Sequence, residues 1–225
     1  MTDVSKSTHD EISPAILYWG TPVCLITTTI IDGSYNIAPM SSIFRFGRIC
    51  MVGLDEGSQT TENTQRTGHC ILDLATASMK DAVNVLARIT GSFPVSDSRS
   101  ARCYTYIKDK FSCANITPLP STIGSIPRMA ECPVTMEARL VAEHSRFKVQ
   151  PTEGAVLSFE LHITGFEVLL ELKLEGYQNR IDTDKWKPII MMFSELYGLG
   201  NGKAMESVLV VIEEEMYRPF TGTTG

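Results

Sequence analysis

The side chains in this chain that could do chemistry gather in two polar stretches about twenty residues apart. The first, Asn36-Ile37-Ala38-Pro39-Met40-Ser41-Ser42, is built mostly from small and amide-bearing residues, so its backbone amides can approach the polar edge of a planar ligand. The second, Ser58 to Gly68 (SQTTENTQRTG), gathers hydroxyls, amides and one guanidinium at the expected start of a helix. Hydroxyls and free N–H groups there suit a phosphate, with Arg66 to neutralise its charge. A capped surface loop would have the same composition. His162 lies in an alternating run and carries a ring able to relay a proton, although a lone histidine there is more often a hydrogen-bonded structural residue. Lys108 and Lys110 offer charge to a dinucleotide phosphate but read first as solvated surface. The histidines, His9, His69, His144 and His162, do not stand at metal-ligand spacing, so no metal is expected.

The elements that must position these stretches are mostly strands. Pro22 to Ile31 is apolar and β-branched, and Asp32-Gly33 follows with the positive-φ tolerance of a hairpin turn. SYNIAPM returns from that turn, RICMVGLD (48–55) adds a strand after Gly47, and the N-cap residues after Gly57 lead a loop into a short helix. HCILDLA resumes the β pattern at His69. Residues 78–89 place Ala82, Val85, Leu86 and Ile89 on one helical face. Residues 90–128 are rich in Ser, Pro and Gly and are expected to run as an ordered excursion over the sheet. VTMEARLVAEH and AVLSFELHITGFEVLLEL alternate as half-buried strands do. Residues 186–197 (WKPIIMMFSELY) have helical spacing, with Trp186 and Tyr197 as core or interface aromatics; 204–217 reads as a helix or, through SVLVVI, a strand. SPAILYWG (13–20) suggests one or two helical turns.

Composition narrows the classes further. The 225 residues, 43% of them hydrophobic, suffice for one domain over 13–225 behind a flexible segment, 1–12. A net charge of −6 with no basic run argues against nucleic acid, and the apolar runs fall short of the ~20 residues a membrane helix needs. The N-terminal residues lack a basic start and apolar stretch, so the expected compartment is the cytoplasm. Six cysteines occur without CxxC pairing, and Cys24, Cys50 and Cys70 sit in strand-like runs as reduced core residues.

Taken in order, NIAPMSS, GLDEGSQTTENTQRTGHCILDL, YIKDKFSCANITPLPS, PRMAECPVTMEA and IDTDKWKPIIMMFSELYGLG resemble the flavin reductase-like family of FMN-binding split barrels, over roughly residues 15–200. The resemblance implies a mainly β fold, an antiparallel Greek-key barrel with peripheral helices, and a homodimer with flavin between two barrels. It also implies FMN as cofactor and NADH or NADPH as hydride donor. The electrons would pass to free flavin, a partner monooxygenase or a small acceptor. An FMN enzyme for a specialised organic substrate, or a noncatalytic electron carrier, are the other readings. Ser58, Thr60 and Asn63 would then hold the FMN phosphate with Arg66 as charge partner, Asn36, Met40, Ser41 and Ser42 would meet the ring, and Pro39 and Thr67 would also bind the cofactor. On that reading, alanine at Thr60 or Arg66 costs FMN affinity. Two places depart from the family pattern. Ile43-Phe44 follows the paired serines where bulky aromatics are frequent, and Asp73-Leu74-Ala75 replaces Asn-Leu-Pro. An acidic Asp73 close to the ring would disfavour its anionic reduced form.

Overall fold

In the computed structural model, Asp32 and Gly33 make the first turn: Gly33 adopts φ 84°, and the Ile30 amide donates to the Ser34 carbonyl at 2.8 Å. The turn joins β1 (Cys24–Thr29) to β2 (Tyr35–Met40), paired from Cys24 opposite Met40 to Thr29 opposite Tyr35. The structure describes residues 19–122, 125–147 and 156–200, with positions 11, 13, 204, 205 and 207. The flexible segment 1–12, the expected turns within 13–20 and the closing element within 204–217 fall largely or wholly outside these.

Further along come β3 (Ile43–Phe46), β4 (Ile49–Asp55), α1 (Gln59–Thr67), β5 (His69–Leu74) and α2 (Lys80–Leu86). The excursion carries two short helices, α3 (Asp97–Ser100) and α4 (Lys110–Cys113). Two long strands follow, β6 (Val134–Phe147) and β7 (Val156–Val168), then β8 (Ile189–Met192) and β9 (Glu195–Gly198). A seven-stranded antiparallel sheet runs in the order β2-β1-β5-β6-β7-β4-β3, so β5 reaches β6 only after the whole excursion. One face rolls around a core that holds Cys24 and Ile26 from β1, Val52 and Leu54 from β4, and Phe159 and Leu161 from β7.

A second core lies outside this barrel. Val23, Leu25 and Ile37 from the sheet meet Val83 and Leu86 of α2, Phe111 of α4, Met129 and Ile189. The strands β1, β2 and β5 are therefore covered on both faces, and this is why β1 is buried along almost its whole length rather than on alternate residues. Cys24, Cys50 and Cys70 are buried together in the barrel core, and desolvation pushes the Cys50 thiol up to about 11 and Cys70 to about 12.

Two local expectations change. The helix expected over 78–89 is a 3₁₀ turn (Ala77–Met79) followed by α2, with Val83 and Leu86 inward, Val85 43% exposed and Ile89 in a short parallel pair with Thr105. Residues 186–197 are not a helix. β8 pairs with β9 and with Thr21–Pro22, and Phe193 and Ser194 make the turn at φ 49° and 67°. Sheet pairing through the Ile189 amide to the Ala75 carbonyl outweighs the helical spacing there. Trp186 is half-buried, and Tyr197 is exposed on the hairpin.

Asp73 is also misplaced by the sequence. It is fully buried on the second core's side of β5, accepts a 2.5 Å hydrogen bond from Thr135 Oγ1, and does not line the cleft described below. Burial, only partly offset by that hydrogen bond, raises its carboxyl from 3.8 to about 7. Between those values the folded chain holds a proton that the unfolded chain has lost, so stability falls as pH rises from about 4 to about 7. Asp73→Asn should flatten this slope, which between pH 4.5 and 8 is worth about 3 kcal/mol, or roughly 6–12 °C in melting temperature. Thermal melts of both proteins at pH 4.5 and 8 check it.

Candidate functional site

The two polar stretches converge. Asn36 Nδ2 donates to Thr60 Oγ1 at 3.0 Å, and Asn63 Nδ2 donates to Thr28 Oγ1 at 3.0 Å, so α1 is fastened to β1 and β2 by buried amide–hydroxyl pairs. Ser58 caps α1, its Oγ accepting from the Thr61 amide at 3.0 Å, and Gly68 ends the helix at φ 73°. The polar N-cap after a strand is what made this helix legible; the left-handed glycine that closes it is seen only in the structure.

Between these stretches and the excursion runs a cleft of about 160 Å³. Asn36, Pro39 and Met40 line one side, Ser58 and Gln59 the helix end, and Arg99, Arg102 and Tyr104 the excursion side. Ile89 to Gly91 and Lys110 complete it. Gly91 is required by this packing: a Cβ there would stand 2.6 Å from Asn36 Oδ1.

Other residues expected at the site stand elsewhere. Thr60 and Asn63 are buried one layer behind the cleft, as the partners of Asn36 and Thr28. Ser42 Oγ donates to the Gly53 carbonyl of β4 at 2.6 Å and belongs to the β2–β3 connection, with Ser41 beside it. Arg66 is exposed in the last turn of α1 and donates to the Thr29 carbonyl, while Thr67 Oγ1 donates to the Asn63 carbonyl at 2.8 Å. At 1.5 Å per residue, Arg66 lies roughly 12 Å along the axis from Ser58. His162 is half-buried on β7 opposite Ile49 and Arg139, away from the cleft.

Arg99, not Arg66, stands beside the α1 N-terminus. Its Nη2 donates to the Gly57 carbonyl at 3.1 Å, just ahead of the α1 N-cap, and stands 3.9 Å from Asp55 Oδ1; Nη1 donates to Thr90 Oγ1 at 3.3 Å. A guanidinium beside a helix N-terminus adds one positive field to another, an arrangement that favours an anion between them. Arg102 lies above the Tyr104 ring at 5.8 Å, with its Nε on the Ser98 carbonyl. Both arginines sit in a Ser-rich connection without periodicity, so no sequence signal pointed to them.

Lys110 is the largest surprise. Expected on the surface, it is 2% exposed. Its ammonium donates to Asn36 Oδ1 at 2.7 Å, to the Ile37 carbonyl at 2.9 Å and to the Ile89 carbonyl at 3.0 Å. Desolvation, with Arg99 adding to it, lowers its pKa from 10.5 to about 7. Lys108, two residues earlier, is exposed and pairs with Asp32 at 2.9 Å. Among the described residues no three His, Cys, Asp or Glu side chains stand together as metal ligands, and no helix is long and apolar enough to cross a membrane.

The comparisons with known proteins agree with this architecture. Residues 18–178 match the flavin reductase like domain. The uncharacterized protein YdfE of Bacillus subtilis (strain 168) is 31% identical over 201 residues, 88% of this chain and 93% of that protein. The fold is similar to flavoredoxin of Desulfovibrio vulgaris (Miyazaki F), with TM-score 0.69, 18% identity and coverage of 88% and 97% of the two chains. It is also similar to nitrilotriacetate monooxygenase component B from Bacillus cereus, with TM-score 0.66, 19% identity and coverage of 83% and 88%. With a matched domain spanning most of its length and a barrel of the same topology class, the chain belongs to the flavin reductase-like family and folds as its split barrel.

Proposed function

We propose that this chain binds FMN in the cleft between α1, β2 and the excursion and passes electrons through it as an NAD(P)H-dependent oxidoreductase. The observation that carries the reading is charge. Arg99, Arg102 and Lys110 converge with the α1 N-terminus on one cleft, against the single carboxylate of Asp55, in a chain of net charge −6. The family supplies the ligand class; the cleft supplies the donors.

In this reading the FMN phosphate rests against Ser58 and the amide of Gln59, which has no acceptor within the helix, with Arg99 neutralising it. The isoalloxazine ring lies along Asn36 to Met40. Bound flavin supplies the hydride-accepting and electron-passing chemistry, so no catalytic side-chain triad is needed. The chain's part is to orient the ring, exclude water and leave one ring face open to a nicotinamide. A cleft of about 160 Å³ is smaller than the ~300–1,000 Å³ usual for small-molecule sites. A second copy of the chain completing it, as a homodimer, fits that shortfall, and the cytoplasm fits the chemistry.

Arg102 and Tyr104 add a cation and a ring beside the cleft, which suits an anionic organic acceptor as well as free flavin or a monooxygenase partner.

Titrating the purified protein with FMN under anaerobic conditions, then adding NADH or NADPH, tests the proposal. Stoichiometric binding followed by rapid bleaching of the flavin absorbance is expected; absence of FMN binding overturns it, and bleaching by dithionite alone leaves an electron carrier. Arg66→Ala should leave FMN affinity within about twofold, because an exposed charge roughly 12 Å from the phosphate is screened by salt. A fluorescence-quenching titration reads this directly.

A further inference from the structure

A buried lysine is normally paired with a carboxylate, because an isolated ammonium in a low-dielectric interior is costly. Lys110 has no such partner in contact. All three of its protons go to neutral oxygens, one on Asn36 and two on the backbone at Ile37 and Ile89. The charged and titratable groups facing it sharpen the anomaly. Arg99 and Arg102 line the same cleft from the excursion with Tyr104, Asp55 lines it from β4, and Cys113 and Asp109 lie on or beside its own helix. Asp109 is turned away, accepting from the Ser112 amide and hydroxyl. What remains around Lys110 is more repulsive than attractive.

The polar chain it begins leads into the site. With Asn36 Oδ1 held by the ammonium, Asn36 Nδ2 is left to donate to Thr60 Oγ1 at the head of α1. A neutral amine has only two N–H groups for these three acceptors, so it is the protonated form that holds Asn36, Ile37 and Ile89 together. An anion delivered there supplies the negative charge that the empty arrangement lacks.

We propose that Lys110 couples anion binding to proton uptake: an FMN bound in the cleft through its phosphate brings Lys110 to full protonation, and the ammonium in turn supplies all three N–H donors that Asn36, Ile37 and Ile89 accept. Lys110 is a positioning residue, acting through Asn36 and through its charge, and does not itself touch the ligand. The proposal rests on the cleft being the FMN site. Its pKa of about 7 leaves Lys110 mostly neutral at pH 8 in the free protein, so binding at that pH draws a proton from solvent.

Isothermal titration calorimetry at pH 8, in two buffers of different ionisation enthalpy and free of phosphate, measures that proton. At pH 8 the FMN phosphate is already dianionic and contributes none, since its second pKa is about 6. Wild-type protein is expected to take up close to one proton with FMN and none with riboflavin, which lacks the phosphate. Its dissociation constant for FMN should rise about fivefold from pH 7 to pH 8. Lys110→Met, if circular dichroism shows it folded, is expected to bind FMN without proton uptake and with no such pH dependence. FMN binding to wild type without proton uptake overturns this inference alone, as does equal uptake with riboflavin or in the folded Lys110→Met protein. No FMN binding to wild type overturns the proposed function as well.

Discussion

Arg99→Ala is expected to raise the dissociation constant for FMN by about 10- to 150-fold, corresponding to roughly 1.5–3 kcal/mol for a charge-assisted hydrogen bond. The guanidinium is largely sheltered, with its side chain 13% exposed, and is aimed by three neutral or acidic contacts: the Gly57 carbonyl, Thr90 Oγ1 and the more distant Asp55. None of these consumes its charge fully, and the α1 N-terminus beside it repels it until an anion arrives. Removing it should therefore relieve a repulsion in the free protein while losing an attraction in the complex. The thermal stability of Arg99→Ala should stay near that of wild type while FMN affinity collapses. Flavin fluorescence titration beside a melting curve separates the two. Equal affinity in both proteins would place the phosphate elsewhere.

Gly91→Ala should damage both folding and binding, by about 2–3 kcal/mol in stability and at least tenfold in FMN affinity. The cause is steric, since the backbone at Gly91 is not in the left-handed region. An added Cβ would lie 2.6 Å from Asn36 Oδ1 and 3.2 Å from both Asn36 Cγ and Gln59 Cγ. Asn36 has nowhere to go, because Lys110 grips its oxygen and Thr60 its nitrogen. The Ile89–Gly91 segment must retreat instead, widening the cleft and pulling the Ile89 carbonyl from Lys110. Urea denaturation and FMN titration of the same preparation measure the two losses. A variant with wild-type stability and affinity would mean that the segment moves freely, contrary to the packing described.

Much of the barrel could be read in advance because its strands carry local signals. Asp32-Gly33 announced the first hairpin, and the N-cap residues around Ser58 announced the start of α1. The β8–β9 hairpin escaped because its turn uses Phe193 and Ser194 at positive φ, where no glycine or asparagine advertises it, and because Trp186, Ile189, Ile190 and Phe193 fit a helix equally well. At the site, the polar stretches were found, but the depth of each residue in them was not. Thr60 and Asn63 look like ligand donors in one dimension and are spent on β1 and β2 in three. Arg99 and Lys110 come from the excursion, about forty and seventy residues after the stretches they serve, and nothing local marks a lysine as buried. Such long-range pairs are set by how the excursion folds back.

The placement of sulfur has a practical corollary. Cys24, Cys50, Cys70 and Cys132 are sealed within the two cores, whereas Cys103 and Cys113 are open to solvent and bracket the segment from Tyr104 to Lys110. A thiol-directed dye added to the folded protein is thereby confined to that one flap of chain. Its emission would follow the motion of the wall beside the ligand while leaving the interior untouched, with no engineering of the sequence needed.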